Sequence, residues 1–191
     1  MAIIDLPELA RGVAGAWRLL KLDITGMFHF NSSAEGTLRS FQAALFALPV
    51  HVILILLALS NVEDGSAGGQ VTVIEGLLYI IDWTIVPVIV SLLIVPLGWQ
   101  KRFAAFICAY NYSYLLAHWL WLMAVVVASL LGGEIRPVLL SAFYIALIAY
   151  QGMVARQALA LELFQTILFC IAIFVINYLL EMLRATLVLA G

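Results

Sequence analysis

The stretch FAAFICAYNYSYLLAHWLWLMAVVVASLL, residues 103–131, contains no Asp, Glu, Lys or Arg. It starts after Lys101-Arg102 and stops at Gly132-Gly133. About 20 apolar residues suffice, at about 1.5 Å rise per helical residue, to cross a hydrocarbon core about 30 Å thick. Only a helix or a closed barrel satisfies its backbone polar groups in lipid, and a single apolar run of this length predicts a transmembrane helix.

Four more stretches of the same kind flank it. Working outward, the predicted spans cover residues 38–60 and 71–97 before it, and 138–157 and 161–188 after it. The linkers are Asn61–Gln70, Gly98–Arg102, Gly132–Pro137 and a faint break at Gln157–Glu162. Spans four and five must be separate helices, because together they would form a rod of about 75 Å, more than twice the bilayer core. The composition agrees. The 191 residues are 65% hydrophobic and only 10% charged, with a mean hydropathy of +1.14. Soluble domains carry about a quarter charged residues. A soluble fold of this size would not hide so much apolar surface. The expected fold is all-α: a polytopic membrane bundle of about five transmembrane helices, preceded by an amphipathic interfacial helix.

That leading helix is expected over residues 6–24. Asp5 and Glu8 have capping-box spacing, and Pro7 suits a first helical turn. At 100° per residue, Leu6, Leu9, Val13, Trp17, Leu20 and Ile24 form one narrow stripe, with Arg11, Arg18 and Lys21 to one side. Such a face suits an anionic leaflet, and Arg11, Trp17, Arg18 and Lys21 are its candidate membrane-surface contacts. Packing of this helix on the protein's own bundle is the plainer alternative. Ser32 and Glu35 give a second capping-box signal ahead of span one. The predicted division is a cytoplasmic amphipathic segment, residues 1–31, and a five-helix transmembrane domain, residues 32–191. Residues 1–30 lack a signal-peptide core, so span one is expected to act as an uncleaved signal anchor. The Lys and Arg residues give the orientation. Arg11, Arg18, Lys21, Arg39, Lys101, Arg102 and Arg156 fall on one side, Arg136 and Arg184 on the other. The positive-inside rule puts the N-terminus in the cytoplasm.

Ionisable groups in hydrocarbon are costly and mark function or paired contacts. Span two carries Glu75, Tyr79 and Asp82 on one face; span three carries Asn111, Tyr114 and His118; span five carries Asn177, Glu181 and Arg184; span one carries His51. Counting depth from the span ends brings His51, Asp82, Asn111 and His118 to similar levels, which makes them the candidate intramembrane polar cluster. The sharper reading is a proton or ion relay titrating at Asp82 with a histidine partner. The plainer reading, preferred from sequence, is a hydrogen-bond cluster that fixes helix register. Glu75 is expected to reach the interface, and Glu181 with Arg184 to form a local pair. Ala142, Ala146 and Ala149 present a small-residue face for close helix packing. Cys108 and Cys170 have no metal-binding or redox spacing and read as reduced, buried thiols. No phosphate loop, H-E-x-x-H or G-x-S-x-G is present. No metal, cofactor or catalytic residue is therefore expected, and the dispersed basic residues give no nucleic-acid footprint.

The five-span layout, Arg39-Ser-Phe-Gln-Ala-Ala-Leu-Phe-Ala-Leu-Pro49 entering span one and Tyr110-Asn-Tyr-Ser113 in span three resemble the bacterial Yip1-like membrane proteins. The D-L-Y-G-P motif of the eukaryotic members is absent, so their vesicle-traffic role is not carried over. The resemblance covers about residues 35–188. It implies a membrane fold without catalytic residues, in keeping with a bacterial inner membrane. The expected function is that of a non-enzymatic accessory or structural subunit, in contact with the bilayer and with a membrane-protein partner or further copies of itself. The alternative is a small channel or transporter that uses the Asp/His/Asn cluster, and it requires a water-accessible cavity reaching Asp82.

Overall fold

A computed structural model describes residues 4–59 and 68–189. Among these residues the chain is wholly helical, with no strand. Helix α1 spans Leu6–Leu20, α2 Ala34–Ser40, α3 Gln42–Leu59, α4 Gly68–Leu93, α5 Phe103–Leu131, α6 Ile135–Leu159 and α7 Leu163–Leu189. Five helical stretches are long and apolar enough to cross a membrane: Ala34–Leu57, Val73–Leu93, Phe103–Leu131, Ile135–Leu159 and Leu163–Leu187. The protein is therefore an all-helical bundle suited to a bilayer. The third span has the predicted bounds. The first begins four residues earlier than expected, because the short helix α2 runs into it; Ser33 rather than Ser32 caps that helix, its hydroxyl accepting from the Gly36 N–H.

Helix α5 is the central post. It packs against α1, α2, α3, α4 and α6, while α7 packs on α6 and α4. Every residue from Phe106 to Ser113 is buried, so this half of α5 is enclosed on all sides. Buried alanines and valines of α6, among them Val154, Ala155 and Ala158, complete that packing. The expected small-residue face of α6 is displaced from this contact. Ala142, Ala146 and Ala149 are exposed, because α6 meets α5 through its C-terminal half.

Helix α1 starts as its sequence predicts, with the Asp5 carboxylate accepting from the Glu8 N–H at 2.9 Å. It ends earlier than predicted, at Leu20. Leu22 adopts a left-handed backbone (φ 63°) and a 3-10 turn over Ile24–His29 folds back onto the helix. Gly15 and Gly26 make that return possible: a Cβ on Gly26 would lie 2.5 Å from the Gly15 carbonyl oxygen. The buried face of α1 is Glu8, Gly12, Gly15, Ala16 and Leu19, rotated from the predicted stripe. Leu9, Val13 and Leu20 of that stripe are half-buried, whereas Leu6 and Trp17 are exposed. Small residues win the contact because they admit close approach of helix backbones. The break between α6 and α7 carries no glycine. Ala160 takes the left-handed conformation (φ 54°), and the Leu161 N–H closes on the Arg156 carbonyl at 3.1 Å.

Candidate functional site

Between α3, α4, α5, α6 and α7 lies a cavity of about 740 Å³. Its outer part is charged. Arg184, near the C-terminal end of α7, places Nε 3.1 Å from Glu75 Oε1 on α4. Arg184 Nη1 donates to Glu181 Oε2 at 2.5 Å, one turn away on α7. His51 of α3 brings Nε2 to 3.8 Å from Glu75 Oε2, and its ring lies 4.5 Å from that of Tyr79. Tyr79 is itself fixed, donating its hydroxyl to the Ala44 carbonyl at 2.5 Å. The Glu75–Arg184 pair thus ties α4 to α7 near one end of the bundle, and His51 Nε2 of α3 lies buried beside it without a hydrogen-bond partner among the described residues. The predicted local pair of Glu181 and Arg184 exists. The expectation for Glu75 is corrected: it is buried, because Arg184 supplies in the interior the countercharge it would otherwise seek in water.

Deeper in, Asp82 and His118 line the same cavity. His118 Nδ1 lies 2.9 Å from the Tyr114 carbonyl oxygen. A carbonyl only accepts, so Nδ1 carries the proton and, in the neutral ring, Nε2 is left as an acceptor. The imidazole is stacked on Trp83 at 5.7 Å and meets Tyr114 edge-on at 4.6 Å, which leaves it little freedom. Asp82 makes no hydrogen bond or ion pair with any described residue. At the floor, Gln151 of α6 is 4% exposed, and neither its amide oxygen nor its amide nitrogen has a partner. Buried polar atoms of this kind are rare in folded proteins and call for water or a ligand. Aromatic rings make the walls: Tyr110 and Tyr114 from α5, and a run of Trp121, Tyr144 and Phe174 with successive centroids 6.2 and 6.3 Å apart.

Of the predicted intramembrane residues, His51, Asp82 and His118 therefore share one cavity. Asn111 lies outside it. It is fully buried two turns from His118 and donates Nδ2 to Ser40 Oγ of α2 at 2.8 Å. One face of α5 meets α2 at that depth and α4 further along, so equal depth did not bring Asn111 to Asp82. Sequence reasoning missed Glu75, Arg184 and Gln151 as members of the site. Glu75 and Arg184 did carry a signal: opposite charges, each about two turns or less from helix ends on the same side of the bundle. Gln151 carried none.

The candidate surface residues Arg11, Trp17, Arg18 and Lys21 are all exposed. Lys21 Nζ sits 5.0 Å from the Trp17 ring centroid, a cation–π distance. Arg18 reaches Asp23 at 3.6 Å and the Thr25 hydroxyl at 3.1 Å. The Asp23 carboxyl is held below the ordinary aspartate range, first by the Thr25 hydroxyl and N–H donating to it and then by Arg18. On the buried side of α1, Arg39 joins Asp5 at 2.9 Å, Glu35 at 2.6 Å and Glu8 at 3.4 Å. Gln42 accepts from the Asp5 N–H at 2.8 Å, and its amide donates to the Tyr112 hydroxyl at 3.3 Å.

No protein-family model, curated protein or solved structure matches the chain.

Proposed function

We propose that this protein is a small, non-enzymatic membrane carrier whose cavity holds a solute at Asp82. The observation that carries this reading is the cavity itself: about 740 Å³, lined by the half-buried Asp82 carboxylate, which makes no hydrogen bond or ion pair among the described residues. A volume in the range of a few hundred to a thousand Å³ suits a small molecule rather than a bare ion. An unpaired acid among membrane helices is costly unless it serves a ligand or a proton. The carrier reading is preferred over an open channel because the other half of the bundle, around Phe106–Ser113, is filled with side chains.

The Lys and Arg distribution supports a cytoplasmic N-terminus, so the cavity faces the opposite side. On this reading α1 lies against the inner leaflet. Its uncovered face combines the exposed apolar Leu6 and Trp17 with Arg11, Arg18 and Lys21. The Yip1-like resemblance agrees with a bacterial inner-membrane protein and contributes no catalytic residue.

Reconstitution tests the carrier. Proteoliposomes should take up at least one compound from a panel of amines, amino acids and protons, and Asp82→Asn should abolish that uptake. Vesicles equally tight to the whole panel with wild type and variant would contradict it. A second reading, an accessory subunit, is favoured by α7, which packs mainly on α6 and α4 and exposes Phe164, Ile171, Val175 and Leu179. Native-lipid extraction that brings down a stoichiometric membrane partner would support it.

A further inference from the structure

The charge and lining of the cavity name the chemistry of its occupant, given that the cavity is a solute site. Its described ionisable lining sets the carboxylates Glu75, Asp82 and Glu181 against one guanidinium, Arg184, and two imidazoles, His51 and His118. Arg184 is already committed to Glu75 and Glu181. With both imidazoles neutral, no unpaired cation among the described lining residues is left for an anion, and Asp82 is the described lining carboxylate without a hydrogen bond or ion pair. An ion pair with a ligand would complete it. A metal ion is a poor candidate, because no group of three His, Cys, Asp or Glu side chains among the described residues converges to hold one. What surrounds Asp82 is aromatic instead: Tyr110, Tyr114, Trp121 and Tyr144 line the same space. Ring faces stabilise an organic cation within about 6 Å of the centroid, and they do so best where water is scarce. The floor adds a donor and an acceptor from the orphaned amide of Gln151.

We infer that the cavity binds an organic ammonium group at the Asp82 carboxylate, with the apolar part of the same molecule against the Tyr110, Tyr114, Trp121 and Tyr144 rings. The ammonium belongs either to a soluble amine or to the headgroup of a lipid entering from the bilayer. The carboxylate sets the charge of the ligand, the rings set its body, and Gln151 favours a ligand with a hydrogen-bonding end.

This rests on the carrier reading but is tested by binding rather than by flux. The purified full-length protein in a nonionic detergent is titrated calorimetrically with three aryl probes of similar size: benzyltrimethylammonium, neutral N-benzylacetamide and anionic phenylmethanesulfonate. The cation should bind on the order of tenfold or more tighter than the neutral probe, and the anion should not bind. Asp82→Asn should bring the cation down to the affinity of the neutral probe while leaving the neutral probe unchanged, and Asp82→Glu should restore part of the preference. Added phosphatidylethanolamine should weaken the cation if the lipid ammonium is the natural occupant, and should have no effect if the occupant is a soluble amine. Equal affinity for cation and neutral probe in the wild type would overturn the inference whatever the variants do, as would binding of the anion. Transport of a non-cationic solute that depends on Asp82 would overturn it while leaving the carrier intact.

Discussion

The two halves of this bundle use similar residues to opposite ends. Toward the N-terminal side, α1, α2 and α6 close around α5, and the interior is solid: Tyr112, Phe106, Leu19 and Val154 are almost fully buried. Toward the other side the same α5 helps to wall a cavity. Each half contains one arginine that gathers acids from other parts of the chain. Arg39 joins Asp5, Glu8 and Glu35; Arg184 joins Glu75 and Glu181. In the filled half the arginine fastens α1 onto the bundle. In the hollow half it neutralises carboxylates beside an open space. A charge network in an apolar protein is structural or functional according to whether anything can reach it, and residue type alone does not say which.

The sharpest way to break this comparison is to remove each arginine. Glu8 is 3% exposed, and its Oε1 already lacks a partner. Arg39→Ala strands a buried carboxylate and should cost about 3 kcal/mol. Reversible unfolding in SDS should show the loss, and limited proteolysis should cut within residues 6–20. Arg184→Ala should cost less, about 1 kcal/mol, because the cavity beside Glu75 can admit water to the carboxylate once the guanidinium is gone. Equal losses would mean that both networks are equally dry.

A smaller effect separates two glycines. A Cβ on Gly12 would come within 2.4 Å of the Tyr112 ring. That ring is held by Gln42 and stacked on Phe30 at 6.1 Å, so it has nowhere to go. Gly12→Ala should destabilise by about 1–3 kcal/mol. Gly76 on α4 has nothing within 4 Å of such a Cβ. Gly76→Ala should be neutral or should stabilise by up to about 1 kcal/mol, through helix propensity alone. Melting temperatures in one detergent check both, and similar shifts for the two variants would remove the distinction between the halves at this level.

The smallest effect lies at the exposed corner after α1. Asp23 is held below its ordinary pKa of 3.8. Its stabilising contacts are therefore present above that ordinary value and are lost as the pH falls through the lowered one. Carbon-13 titration of the Asp23 carboxyl should give a midpoint below 3.8, and Thr25→Ala should move it back up. An unchanged midpoint in Thr25→Ala would remove the hydroxyl as the cause.

Much of the fold was legible because the apolar runs are long and the breaks are charged or glycine-rich. The span Phe103–Leu131 could be read to the residue, since Lys101-Arg102 and Gly132-Gly133 mark both ends. The α6–α7 break was faint because an alanine, Ala160, takes the conformation that a glycine would have announced. The site was legible only in part. His51, Asp82 and His118 stood out as polar groups in apolar runs. Their cavity did not, because an unfilled volume arises from how helices diverge, and no periodicity records that. The pairing of Glu75 with Arg184 joins α4 to α7 across the folded bundle. The side of α1 that meets the bundle was not read from the sequence, because the hydrophobic stripe was weighed against the leaflet and the glycines were not weighed, although Gly12 and Gly15 set how closely the helix approaches.

The central claim is that one half of the bundle is open to water as far as Asp82 and the other is closed. Single cysteines on α5 test it most directly, on a background with Cys108 and Cys170 replaced by serine. Ala117→Cys lines the cavity and Ala109→Cys lies in the filled half. The membrane-impermeant thiol reagent trimethylammonium-ethyl methanethiosulfonate is applied to each side of sealed vesicles in turn. The account expects Ala117→Cys to react from one side only, the side away from the N-terminus, and Ala109→Cys to react from neither until the protein is denatured. An unreactive Ala117→Cys that labels fully once unfolded would contradict it.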